Sequence, residues 1–240
     1  MKKTVVIMPV ANEEETMRDV IDSVMALDHD NLYLYVVIDA FSKDRTEEII
    51  REAEKDYNGR VKCLFFKKSS GCVSCYLYGF TKALEDGAEY IVEMDGGGSH
   101  DPQSIPDFIK KLDEGYDCAF GSRFVEGGGI YNHPLYRRLL SAGGTILANL
   151  VLGTKLKDMT SGYEAFRREV LENMDLRKIL SRGHMYQTEM RYYCRNYNIC
   201  EVPITYIGST SALKFKTVIE ALVILFMLKG HESKVMKKEI

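Results

Sequence analysis

The sequence predicts an α/β domain in which a mostly parallel sheet carries helices on both faces. Three observations predict it. Short apolar, β-branched runs alternate with stretches of helical periodicity, the order that builds parallel βαβ units. Two of those runs end at a carboxylate followed by a loop, Asp39 and Asp95. Around the second, Tyr90 to Met94 passes into Asp95 and three glycines, then Ser99-His100-Asp101-Pro102. A carboxylate at the carboxyl end of a buried strand lies at the crevice where open α/β sheets bind ligands.

Thr4 to Val10 is a first buried strand, closed by Pro9-Val10-Ala11-Asn12. Glu13, Glu14 and Glu15 open a helix, where the macrodipole favours anions, and Met17, Val20, Ile21, Val24 and Leu27 form its core stripe. Leu32 to Asp39 is a second strand and Thr46 to Glu54 a second helix. Val61 to Phe66, a polar loop, the helix Cys72 to Leu84 and the strand Tyr90 to Met94 follow. Ile105 to Leu112 is helical and Asp117 to Gly121 a fifth strand.

Beyond Gly121 the character changes. Gly121 to Gly129 is Gly-rich and leads to Pro134, Arg137, Arg138 and a helix ending at Leu152; its basic residues suit an anion, and a surface crossover is the alternative. Asp158 to Tyr163 reads as a turn into a helix over Glu164 to Asn173, followed by a helix over Met185 to Tyr193 and a strand over Ile199 to Ile207. Val218 to Leu228 is apolar except for Glu220, and shorter than the roughly 20 residues that span a bilayer. Two readings stand for it: a core helix, or a helix in a membrane interface, favoured by Lys214 and Lys216 before it and Lys229, Lys234, Lys237 and Lys238 after it. The chain divides accordingly into a main domain, 1–217, and an apolar helix with a basic tail, 218–240.

With 240 residues there is room for one large α/β domain or two small ones. A net charge of −3 lacks the broad basic field of a nucleic-acid binder, so no nucleic-acid partner is expected. Of six cysteines only Cys72 and Cys75 are closely spaced, and a structural zinc site needs four ligands. The pair reads as small residues at a helix start or as a redox couple. The start Met1-Lys2-Lys3-Thr4 shows no secretory signal, which predicts a cytoplasmic protein.

Taken together, Pro9-Val10-Ala11-Asn12-Glu13-Glu14, Asp39 to Thr46, Gly79-Phe80 with Ala83, and Met94 to Pro102 form the first half of an ordered series. Gly121-Ser122-Arg123-Phe124 with Gly127-Gly128-Gly129, Thr160-Ser161-Gly162-Tyr163 and Glu201-Val202-Pro203-Ile204 complete it. The series resembles the dolichol-phosphate mannosyltransferase branch of glycosyltransferase family two, from residue 4 to about 222. The resemblance implies a GT-A (Rossmann-like) fold. It also implies an inverting, metal-assisted hexosyltransferase that moves a sugar from a GDP- or UDP-sugar to a polyprenyl (dolichyl-type) phosphate. By the same resemblance Pro9, Ala11, Glu13, Asp39 and Asp95 surround the nucleotide, and Asp95 meets a Mg²⁺ or Mn²⁺ ion. Arg123, Arg137 and Ser141 hold the acceptor phosphate, and Asp95, Arg123 and Arg137 are the catalytic set. The enzyme would lie on the cytoplasmic membrane face, at the lipid surface or on a membrane partner protein.

The sequence also departs from that pattern. The usual Asp-x-Asp has Gly97 at its second acid, which predicts a weakened cation site. Ala40 replaces the second of two aspartates after the second strand, and Ala11 replaces a tyrosine. Ser209-Thr210-Ser211-Ala212 stands for a Gly-x-Ser-Lys loop, and no arginine follows Arg195. Two further readings follow: a non-catalytic or regulatory relative that keeps nucleotide binding, and a family-two transferase with a glycan acceptor.

Overall fold

Thr4–Val10 forms strand β1, buried at every residue because it lies mid-sheet with helices over both faces. Val5 and Ile7 enter one apolar layer, Val6, Met8 and Val10 the other. The computed structural model describes residues 1–132, 134–208 and 215–237, the last without the side chains of 215–217. The Ser209 to Ala212 loop, Lys214, the side chain of Lys216, and Lys238 lie outside the described residues.

Helix α1 (Met17–Met25) leads to β2 (Leu32–Asp39), α2 (Thr46–Asp56), β3 (Val61–Phe66), α3 (Cys72–Glu85) and β4 (Tyr90–Glu93). Then come α4 (Ile105–Asp113), β5 (Cys118–Ser122), β6 (Gly129–Tyr131), α5 (Leu135–Leu152), β7 (Glu164–Arg167) and α6 (Arg168–Glu172). Helix α7 (Tyr186–Tyr193), β8 (Ile199–Pro203), β9 (Thr205–Ile207) and α8 (Phe215–Val235) end the described chain. One seven-stranded sheet has the order β3-β2-β1-β4-β7-β5-β8, and β6 pairs with β9 in a second. Strands β3, β2, β1 and β4 are mutually parallel, and β5 is parallel to β8. Only β7 runs against its neighbours. The predicted α/β, mostly parallel architecture is the one observed.

Two elements differ from the sequence expectation. Glu164 to Asn173 is not one helix: Glu164–Arg167 is a strand inserted between β4 and β5, and only Arg168–Glu172 is helical. The spacing of Phe166, Val170 and Met174 mimics a helical stripe, but the gap between two strand edges decides the structure. There Ala165 and Phe166 face opposite layers, as a strand requires. Ile199 to Ile207 is broken at Pro203 and Ile204, so β8 closes the large sheet while β9 joins β6. Pro203 costs no ladder bond because β8 is an edge strand.

Helix α8 combines the two readings of its apolar run. Leu225, Leu228 and Val235 are core residues, whereas Val218, Ile219, Leu222, Val223, Phe226 and Met227 are exposed. It packs on α5, whose own outer face exposes Leu135, Tyr136, Leu139, Leu140, Ile146 and Leu150. No helix among the described residues is long and apolar enough to cross a membrane.

Candidate active site

Parallel pairing brings the predicted carboxylates to one edge. Ile7 lies opposite Glu93, and Val10 opposite Ile38, so Asp95 and Asp39 flank the end of β1 from either side. Two strand spacings separate them, about 10 Å. The loop after Asp95 must cross closely over β1: a Cβ on Gly96 would stand 2.3 Å from Val10 Cγ1 and 2.9 Å from the Pro9 carbonyl. Glycine is required there for contact, not for backbone conformation.

Asp95 is held from two sides. Tyr76, on α3, donates its hydroxyl to Oδ1 at 2.9 Å. The Asp95 N–H donates to His100 Nδ1 at 3.1 Å. His100 is buried, stacks on Tyr163, and is held neutral because burial lowers its pKa more than the Asp95 charge raises it. With Nδ1 accepting, its proton sits on Nε2, which has no hydrogen-bond partner among the described residues and lies 3.9 Å from Asp95 Oδ2. The Asp95 side chain is 38% exposed, open enough to meet a ligand.

Asp39 is committed locally. Its Oδ1 accepts from Phe41 N–H at 3.0 Å and Ser69 Oγ at 2.8 Å, and the Cys75 thiol lies 3.8 Å from Oδ2. Burial, with Asp39 beside it, pushes the Cys75 thiol up to about 12, so it is a thiol at neutral pH and a poor redox nucleophile. The β1–α1 turn is pinned to the β2–α2 loop. Asn12, in the left-handed region at φ 56°, accepts from Lys43 N–H at 2.9 Å. Glu13 N–H donates to Thr46 Oγ1 at 2.9 Å, and Glu14 N–H to Asp44 at 3.0 Å. Burial raises the Glu13 pKa, the Thr16 hydroxyl lowers it, and Asp44 adds to the rise. Pro9 is buried as the last residue but one of β1, and Ala11, just beyond the strand, is half-buried.

Arg123 is 9% exposed and faces inward. Its Nε and Nη2 bind Asp158 at 2.7 and 2.8 Å, and Nη2 also reaches Thr160 Oγ1 at 2.5 Å. Arg137 and Ser141 are one turn apart on α5, both half-buried on one face. Further along that face, Gly144 approaches Thr160 and Thr145 Oγ1 accepts from Met159 N–H at 3.1 Å. Seven residues of helix, about 10 Å, separate Arg137 from Gly144. Arg123, and α5 at Gly144 and Thr145, border the loop 158–160, with Ser141 about one turn and Arg137 about two turns back along that face. The Gly121 to Gly129 segment is not the long loop its composition suggests. A Cβ on Gly128 would lie 2.5 Å from the Ser122 carbonyl, and Gly129 N–H bonds Ile204 O at 3.0 Å.

Several residues that hold this site escaped the sequence reading. Glu201 accepts from the N–H groups of Lys157 and Asp158 at 2.8 and 2.9 Å. Arg191, wholly buried, binds Glu164 at 2.7 Å and the carbonyls of Asp158, Gly121 and Ser161. An arginine within the run Tyr186–Tyr193 was the available signal, since a charge in a buried helix must be paired. Beneath Asp95, Glu93 and Glu164 oppose each other across β4 and β7. Burial pushes the Glu93 carboxyl well up, with Glu164 adding, and Glu93 accepts from the Tyr186 hydroxyl at 3.0 Å.

A hard divalent cation takes oxygen ligands. Among the described residues no three His, Cys, Asp or Glu side chains converge on one point. Asp95 suits such an ion, then, provided that a ligand brings further oxygens. A groove of about 590 Å³ between Leu180–Met185 and the first half of α8 includes neither Asp39 nor Asp95, and is separate from this edge.

The family profile described as "Glycosyl transferase family 2" matches residues 5–175. Similar proteins include a polyprenol monophosphomannose synthase of Mycolicibacterium smegmatis, 34% identical over 85% of this chain and 77% of its own length. A dolichol-phosphate mannosyltransferase of Pyrococcus furiosus is 33% identical over 97% of this chain, which spans only 65% of that relative. Among solved structures, glucosyl-3-phosphoglycerate synthase from Mycobacterium tuberculosis, with Mn²⁺, UDP and glucosyl-3-phosphoglycerate, superposes with a TM-score of 0.69. It covers 95% of this chain and 80% of its own, at 17% identity, which speaks to the fold alone.

Proposed function

The chain belongs to glycosyl transferase family 2, and we propose that it moves a hexose from a GDP- or UDP-sugar to the phosphate of a polyprenyl lipid, with inversion. One observation carries this reading. A carboxylate-bearing sheet edge, suited to a nucleotide diphosphate, occurs in the same chain as helix α5, which carries Arg137 and Ser141 half-buried and exposes apolar side chains on its outer face. A charged donor and a lipid acceptor need two such surfaces in one protein. The names of these two relatives, both polyprenyl-phosphate mannose enzymes, support the same acceptor and favour mannose.

The chemistry asks little proton transfer of the protein. An acceptor phosphate oxygen is already ionised at neutral pH and attacks the anomeric carbon directly. The bond from that carbon to the donor diphosphate breaks, and its electron pair leaves with the diphosphate. Alignment and charge stabilisation then dominate. Pro9, Ala11, Glu13 and Asp39 surround the nucleotide in this reading. Asp95, oriented by Tyr76 and His100, would hold a Mg²⁺ or Mn²⁺ ion, which would supply positive charge towards the diphosphate. Gly97 leaves that site short of a carboxylate, so the free protein binds the ion weakly. The Mn²⁺ and UDP of the structural neighbour support a cation beside a nucleotide. Arg137 and Ser141 reach the acceptor phosphate from α5, and Arg123, fixed by Asp158, adds a positioned cation. Residues 1–217 form the catalytic domain, and 218–240 attach it to the lipid surface or to a membrane partner.

The test is transfer from GDP- and UDP-sugars to a short polyprenyl phosphate in detergent, with Mg²⁺ or Mn²⁺. Activity is expected with at least one donor, and Asp95→Asn or Arg137→Ala should lower turnover by roughly 10²–10³. Arg123→Lys, which keeps a charge on Asp158, should lose part of it. Gly97 favours a second reading, a non-catalytic relative. Nucleotide binding without transfer from any donor would establish that one instead.

A further inference from the structure

The space left by the missing side chain of Gly97 is occupied. A Cβ at Gly97 would lie 3.3 Å from Glu13 Oε1, 3.8 Å from its Cδ and 3.9 Å from Oε2. A carboxylate thus stands over the position where the resembling family carries its second acid. We propose that Glu13 supplies to the divalent cation the carboxylate that position 97 lacks, so that the ion is held between Asp95 and Glu13, with donor diphosphate oxygens completing its shell. The proposal rests on the donor-site reading above and deepens it.

Four features support the assignment. Glu13 is not a loose surface acid. Its N–H is bound by Thr46 Oγ1, and its carbonyl accepts from Thr16 and Met17 N–H as α1 begins. Residues 95–97 are packed against the end of β1 through Gly96, so the segments carrying the two carboxylates cannot drift apart. No lysine or arginine among the described residues forms a salt bridge with Glu13 or Asp95. Finally, the buried His100 directs an unpartnered Nε2–H towards Asp95, a donor left for an oxygen-rich ligand at the same place. Charge count largely sets the affinity of a site for a hard cation, and Glu13 would add a second carboxylate to that of Asp95.

A further consequence separates this from a role for Glu13 at the nucleotide alone. A carboxylate at either position would reach the same place, since a Cβ at 97 lies 3.3 Å from Glu13 Oε1. Glu13→Gln should therefore weaken the cation site, and adding Gly97→Asp to it should restore the site.

The experiment is a Mn²⁺ titration of the whole chain, followed by the electron paramagnetic resonance signal of the free ion, at saturating GDP and then UDP. Binding of each nucleotide without cation is measured in parallel by calorimetry. Glu13→Gln should lower Mn²⁺ affinity in the nucleotide complex by about tenfold or more, a larger factor than any loss of cation-free nucleotide binding. The double variant should recover most of the loss. Glu13→Asp, which keeps the charge on a shorter arm, should fall between, and serves if the glutamine variant does not fold. Unchanged Mn²⁺ affinity in Glu13→Gln, an equal loss of cation-free nucleotide binding, or a wild type that binds nucleotide but no Mn²⁺ would overturn the proposal and leave the donor site standing. Failure of the wild type to bind either nucleotide would overturn both.

Discussion

At Asp158 one carboxylate serves several donors of a single neighbour: the backbone N–H of Arg123 at 3.1 Å, its Nε at 2.7 Å and its Nη2 at 2.8 Å. Burial alone would raise its pKa, but Arg123, then Arg191 and the Thr160 N–H, outweigh it and bring the group to about 2. The folded value lies below the unfolded value of about 3.8. The stability it contributes is therefore complete above about pH 4 and is lost as pH falls towards 2. One pKa unit corresponds to about 1.4 kcal/mol, so the shift is worth about 2 kcal/mol. Asp158→Asn should destabilise the fold by about 3–5 kcal/mol at pH 7, because it leaves the Arg123 guanidinium buried without its counter-charge. Urea unfolding at pH 7, 4 and 2.5 checks this: the gap to wild type should narrow only at the lowest pH. A gap constant down to pH 2.5 would mean that the ion pair is not the cause. In the sequence Asp158 is legible only as the start of a turn. Its partner lies 35 residues away, and no local pattern announces a contact at that separation.

The elements were legible where one pattern had one meaning. The β1–β4 half follows from apolar runs buried on both faces, and so does the placement of Asp39 and Asp95 at one edge. Residues 164–173 and 199–207 were not, because a short apolar segment fits strand or helix until its neighbours are known. The packing of α3 on β1 was similarly hidden. A Cβ on Gly79 would stand 2.4 Å from Ile7 Cγ2 and 3.1 Å from Val37 Cγ2, so the helix lies closer to the sheet than any other residue would permit. Gly79→Ala should cost about 1–3 kcal/mol by overpacking, despite the better helix propensity of alanine. Because α3 also carries Tyr76 to Asp95, the displaced helix should weaken nucleotide-dependent Mn²⁺ binding as well. Thermal unfolding and the titration described above measure the two effects separately. A stabilised variant would show that the interface relaxes without strain.

At the scale of the whole molecule, the charge and apolar surface are unevenly shared. The chain carries a net charge of −3, yet Arg138, Lys229, Lys234 and Lys237 are exposed on or just beyond the two helices whose outer faces are apolar. Helices α5 and α8 pack together, and between them leave thirteen large apolar side chains in contact with solvent, Leu147 among them. Monomeric proteins rarely leave so much contiguous apolar surface without a use. An interfacial position would suit these faces: apolar side chains among the acyl chains, lysines at the headgroups. That position would also bring Arg137 and Ser141 to the depth of a lipid phosphate, joining attachment to catalysis. The expected outcome is binding to vesicles containing anionic lipid, weakened by salt as the screening length falls from about 10 Å at 0.1 M to about 3 Å at 1 M. Replacing Leu139 and Phe226 together by aspartate should reduce partition by more than about tenfold, since each apolar side chain removed from water is worth roughly 1.5–3 kcal/mol. Flotation on sucrose gradients reads both effects. Equal partition into neutral and anionic vesicles at low salt would remove the lysines from the account while keeping the apolar faces. Partition into neither would remove the bilayer altogether, and the faces would then have to be covered by protein.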